Sequence, residues 1–241
     1  MWKSAVGILL LSCGFTGLNA QSQQAARCST EQEFAPALVD NPDLNVTFKC
    51  GQATPFDLLQ AIGRQTRIPI GVVLGRDTDA LLRERRPYDL ENAPAESALR
   101  EAVRNTGYTL NQEGPVWVLT ADDLTYRQNL LLTQRYPEFK QDSSSTMVRW
   151  GISLTMLMLV TANPEIQGFG GSILHATNEE RFTVQVPPSA STEEIANMIV
   201  SQGSKGMWIL RVSPDLSADV SSDRVDIEPY QHYSNSPNVI E

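Results

Sequence analysis

The stretch from Tyr88 to Leu119 limits the possible folds more than any other part of the chain. Tyr88-Asp89-Leu90 alternates as a strand does. Pro94 suits a first helical turn, and Ala95, Ala98, Leu99, Ala102 and Val103 then recur at the spacing of one helix face. Gly107 stands where a left-handed residue follows such a helix. Tyr108-Thr109-Leu110 and Val116-Trp117-Val118-Leu119, separated by Asn111 to Pro115, read as a hairpin on which that apolar stripe can rest. Strand, helix and hairpin carry no reactive side chain, so the stretch points to packing and partner contact before catalysis.

The residues upstream extend the pattern. Val46-Thr47-Phe48 reads as a short strand. Thr54 caps a helix with Pro55 at its first position and an acid, Asp57, three residues after the cap; Phe56, Leu58, Leu59 and Ile62 form its apolar face up to Thr66. Ile68 to Leu74 is a strand, and Pro69 places it at a sheet edge or at a point of entry. Arg76 to Pro87 is a polar connection. With its three close arginines, Arg83, Arg85 and Arg86, it is either a solvated loop or short helix, or a contact for an acidic partner.

Residues 46 to 120 therefore run strand, helix, strand, strand, helix, strand, strand. Phe48, Leu58-Leu59-Gln60-Ala61-Ile62, Thr66 to Val72, Tyr88-Asp89-Leu90, Glu96 to Leu99, Thr106-Gly107-Tyr108 and Val116 to Leu119 together resemble the STN domain, the secretin and TonB short N-terminal domain. The resemblance covers roughly a third of the chain and rests on hydrophobic pattern and a Thr-Gly turn. It implies a small periplasmic α+β module that contacts other proteins and has no catalysis of its own. Too little chain follows for a TonB-dependent barrel or a secretin pore, so the module is expected without either.

Beyond Thr120, Asp122 to Tyr136 is expected to be a connecting helix stopped near Pro137, and Lys140 to Thr146 a domain boundary. A helix from Thr146 to Ala162 has an apolar core shorter than a membrane span and includes Arg149, which places it inside protein or in a partner interface. Val184-Gln185-Val186, the helix capped by Ser191, and Met207 to Leu210 echo Tyr88 to Leu119 in shortened form; a true repeat and a coincidence of two common units both remain open. From Ser213 onward, Ser, Asp, Asn and Pro dominate, and a flexible tail is expected.

Lys3, the apolar run Ala5 to Leu11 and Ala20 before Gln21 read as a secretory signal. The rival is a loose lipobox ending in Cys13, which would make the protein a lipoprotein. Either reading takes the mature chain out of the cytoplasm, to the periplasm or beyond. In that compartment Cys28 and Cys50 are expected to form a structural disulfide, worth about 3 kcal/mol by loop closure.

Charge and motifs exclude other classes. A net charge of -9 and a pI near 4.8 argue against nucleic acid as a partner. His175 and His232 lack neighbours at ligand spacing, so no metal is expected. Gly168 to Gly171 is not a phosphate loop, Asp122-Asp123 and Glu179-Glu180 read as solvated acids, and no cofactor or catalytic residue is assigned.

The expected organisation is α+β: a signal over 1–20, an irregular arm over 21–45, an STN-like domain over 46–121, a linker over 122–140, a second α+β domain over 141–212 and a tail over 213–241. The expected function is a non-catalytic interaction module of the cell envelope whose partners are envelope proteins, among them a secretin or a TonB-linked system. Ile70, Val72, Arg83, Arg85 and Arg86 are its expected contacts, with the strand at Ile70 accepting a partner strand at its edge. The alternative is a secreted enzyme or small-ligand binder with a pocket between the halves, around Trp150, His175 and Trp208.

Overall fold

The structure, a computed structural model, describes residues 44–137, 139, 145–162, 181–203, 205–212 and 223–229. The expected signal, Cys28, both histidines and Gly168 to Gly171 lie outside the described residues.

The first unit runs β1 (Asn45–Ala53), α1 (Pro55–Thr66), β2 (Ile70–Val73), a one-turn α2 (Asp79–Leu82), β3 (Arg86–Pro94), α3 (Ala95–Val103), β4 (Tyr108–Glu113) and β5 (Val116–Ala121). Then come α4 (Tyr126–Thr133), α5 (Met147–Ala162), α6 (Thr192–Gln202), β6 (Gly206–Arg211) and β7 (Arg224–Pro229). The fold is α+β. Reciprocal caps start α1, α4 and α6: Thr54 with Asp57, Thr125 with Gln128, and Ser191 with Glu194 each bond the other's backbone N–H. After α3, positive φ at Asn105 and Gly107 turns the chain into β4.

β1 and β3 form an antiparallel ribbon, and the other strands make one sheet in the order β4-β5-β2-β6-β7. β2 lies at its centre, parallel to both neighbours: Ile70 is level with Trp117 on one side and Met207 on the other. Of the two positions expected from Pro69, the sheet edge is therefore corrected and the point of entry is the one it occupies. Pro69 precedes the first paired residue, and its carbonyl accepts from the Trp117 N–H at 3.0 Å, so its missing donor costs the ladder nothing. The near-continuous apolar run of Ile68 to Leu74 is what a strand covered on both faces requires.

The two faces separate residue by residue. Ile70, Val72, Leu119, Met207 and Ile209 enter one core with the α1 and α3 stripes and the inward side chains of β1 and β3. Val73, Val116, Val118, Trp208 and Leu210 enter the other, beneath α4, α5 and α6. The β2-to-β5 crossover and the return from β5 to β6 run in opposite directions across the sheet; crossovers of one hand must then cover opposite faces.

β6 pairs directly with β2, so the sheet crosses the expected boundary between 121 and 141. Residues 224–229, expected in the tail, form β7 and pair with β6 from Arg211↔Arg224 to Gly206↔Pro229. The Thr155 hydroxyl on α5 accepts from the Val225 N–H at 2.9 Å and donates to the Val225 carbonyl at 3.2 Å, closing the rim of β7. Gly151, one turn earlier, allows this approach: a Cβ there would stand 3.0 Å from Ile227 Cβ.

The echoed pattern does not reproduce the geometry. Trp208 is level with Val118, not with Trp117, and the two tryptophans face opposite cores. A slip of one residue inverts every side chain in a period-2 element. Val184 to Val186 is not a strand, and α6 covers the face opposite to the one α3 covers.

Candidate functional site

Ile70 and Val72 have no solvent exposure and lie in a strand paired on both sides, so they are core residues and not partner contacts. Arg86 is also structural. Its guanidinium donates to the Tyr88 hydroxyl and to the carbonyls of Glu101, Ala102 and Arg104, capping the end of α3, and its carbon centre lies 5.2 Å from the Tyr88 ring. Burial pushes the Tyr88 phenol up despite this cation. Arg83 and Arg85 are exposed just before β3, which leaves them accessible to an acidic partner. Cys50 is buried on the inner side of β1.

In an open sheet, ligands bind beyond the carboxyl ends of adjacent strands whose connections leave to opposite faces. Here those strands are β2 and β5. The position is occupied by the protein's own groups. The Asp123 carboxylate accepts from the Arg76 and Asp77 N–H groups at 3.0 to 3.1 Å. A Cβ on Gly75 would lie 1.9 Å from Asp123 Oδ1, so the carboxylate fills the space beside that turn. Asp122 accepts from the Thr109 hydroxyl at 2.7 Å. Behind them the fully buried Gln128 amide donates to the Leu74 and Val212 carbonyls, at 2.9 and 3.3 Å, joining the ends of β2 and β6. Tyr108 lies against Gly75; burial, with the nearby carboxylates Asp123 and Asp77, pushes its phenol up to about 12. The two acids that read as solvated in sequence remain exposed but hold this turn together.

The space around Trp150 and Trp208 is also filled. Both rings are about 1% exposed. Trp150 packs beside Phe139 and Phe182 and donates its indole N–H to the Phe182 carbonyl. Trp208 lies over Gly71, where a Cβ would come within 2.4 Å of its ring, and donates to Asn197 Oδ1 at 2.8 Å. Among the described residues, these contacts pack both indoles against the protein's own side chains; His175, the third residue of the expected pocket, lies outside them.

At the other end of β4, a polar chain continues from Trp208. Asn197 on α6 donates to Glu113 Oε2 at 2.8 Å, and Glu193 lies one turn before Asn197. Burial, then the charge and hydrogen bonding of Glu113, then the charge of Glu194 push the Glu193 carboxyl up to about 7. Glu113 and Asn197 carry no signal at motif spacing, because the chain brings them together only through the sheet.

Among the described residues, no cluster of His, Cys, Asp and Glu could hold a metal ion, and no helix is long and apolar enough to cross a membrane. Among the described residues, the rims of the sheets differ in what covers them. β7 is closed by Thr155, and the bulge of β1 at Thr47 is closed by the Gln65 amide, which bonds both its N–H and its carbonyl at 2.9 Å. β4 ends the sheet on the other side and, among the described residues, pairs only with β5. No family model, curated protein or solved structure matches the chain.

Proposed function

We propose that the protein is a non-catalytic interaction module of the bacterial envelope, of the STN kind, that works by contact with other envelope proteins. The observation supporting this reading is the order of elements from Asn45 to Ala121. Apart from the one-turn α2, it is strand, helix, strand, strand, helix, strand, strand, with α1 and α3 packed in the core shared by the β1–β3 ribbon and the main sheet. The self-satisfied groups at the end of β2 and β5 fit a protein without a reaction centre.

The proposed contact is the outer rim of β4, which presents Thr109, Asn111 and Gln112 around a backbone edge that is unpaired among the described residues and can accept an added strand. Arg83 and Arg85 are a second, basic contact in an otherwise acidic protein. Export, and a bridge between Cys28 and Cys50 that ties the N-terminal arm to β1, belong to the same reading. A photo-crosslinking residue at Thr109 or Gln112, used in living cells, tests it. A single envelope protein captured at both positions and lost on fragmenting its exposed strand segment is the expected result; capture of no envelope protein at either position, or retention of the chain in the cytoplasm, refutes it.

A further inference from the structure

Two carboxyls from distant parts of the chain meet where α6 lies against the end of the β4–β5 hairpin. Glu113 is the last residue of β4, and Glu193 is in the first turn of α6. Asn197 connects them to the core: its Nδ2 donates to Glu113 Oε2 at 2.8 Å while its Oδ1 accepts the buried indole N–H of Trp208, also at 2.8 Å. Glu193 and Asn197 are four residues apart and so face Glu113 from one side of the helix. Asn197 already uses one oxygen of Glu113, and a protonated Glu193 adds a second donor to that carboxylate.

We propose that Glu113 and Glu193 form a proton-sharing latch that holds α6 on the hairpin and loosens when both carboxyls ionise. With one proton between them, the pair makes a charge-assisted hydrogen bond; without it, two like charges face each other in a half-buried joint.

The surrounding charges do not neutralise that repulsion. Glu194, next on the helix, adds a third negative charge, although it caps Ser191 and pairs with Arg135 of the segment after α4. Arg135 also donates to the Ser189 carbonyl. On α4, Arg127 is paired with Asp223, and on β6 and β7, Arg211 is paired with Asp226. α5 carries Arg149 near its start, and exposed Lys205 lies beyond the far end of α6. β2 and β5 bring no charged side chain. Among the described residues, the charges that act on Glu193 are Glu113 and Glu194. The α6 N-terminus favours an ionised Glu193, but burial and the two acids outweigh it.

The sign follows from proton binding. A carboxyl whose folded value is raised from 4.5 to about 7 holds its proton in the latched state when the released state has lost it. The latch is therefore fully present at acid pH and weakens as pH rises from about 4.5 to about 7, by at most about tenfold in the closed-to-open ratio per pH unit. Above that window the loss is constant.

Amide hydrogen exchange of the whole chain tests the latch, with rates expressed as protection relative to unstructured peptide so that the intrinsic pH dependence cancels. The expected result is that protection over residues 192–202 falls at least tenfold from pH 5 to pH 8, while that of α1 does not. In Glu193→Gln, whose amide still donates to Glu113, protection should stay flat over the same range. Glu113→Gln provides the second variant, since it removes the repulsion from the other side and should also flatten the profile. Constant protection of α6 in the natural protein, or the same fall in both variants, overturns the proposal.

Discussion

At the residue scale, close approach and burial decide more than residue type. Gly71 could be a glycine for many reasons in sequence, but its place under the Trp208 ring is the one that matters. Gly71→Ala puts a methyl where the indole now lies, so Trp208 or the β2–β6 pairing must shift. Overpacking of this kind costs about 1–3 kcal/mol, read as a lower urea midpoint with an unchanged slope. Tyr108 gives a pH prediction of known sign. Its phenol rises to about 12, mainly through burial, while the unfolded value is 10.0. The unfolded chain thus loses its proton first, and stability is expected to fall as pH climbs from about 10 to about 12. A tyrosinate absorbance titration should show late phenols, with Tyr88 and Tyr136 also raised by burial, and Tyr108→Phe should remove the component near 12.

At the element scale, the helices were legible and the sheet rims were not. The Thr54 and Ser191 caps, and the apolar stripes that follow, lie at fixed local offsets, so α1 and α6 can be read within a few residues. Whether a strand is central or peripheral depends on what pairs with it. Pro69 allowed an edge or a point of entry, and only β6, supplied from more than 130 residues away, excludes the edge by covering that side of β2. The reverse holds for β7, whose segment looked too polar for structure and is held by β6, α5 and the Arg127–Asp223 ion pair. Thr155→Val removes the hydroxyl that serves both the N–H and the carbonyl of Val225. Leaving those two groups unpaired is expected to cost about 1–3 kcal/mol and to accelerate exchange of the Val225 amide before that of β6.

At the scale of the whole molecule, one sheet unites the two expected domains. Ending the chain after Val212 should therefore do more than trim a tail. It exposes the rim of β6 and the α5 face that contacts β7, and the shortened protein is expected to unfold at lower denaturant with a broader transition and to self-associate on a sizing column. Retention of a sharp, unshifted transition would show that β7 contributes nothing to the fold.

The sequence by itself determined the helices, the apolar runs and the α+β class, because propensity, capping and hydrophobic period act over a few residues. Only the tertiary structure decided that β2 is central, that Trp117 and Trp208 face opposite cores, that Asp123 fills the end of the sheet and that Glu113 meets Glu193. Each of these depends on strand order and register, which arise from long-range pairing and can invert a side chain's surroundings with a shift of one residue.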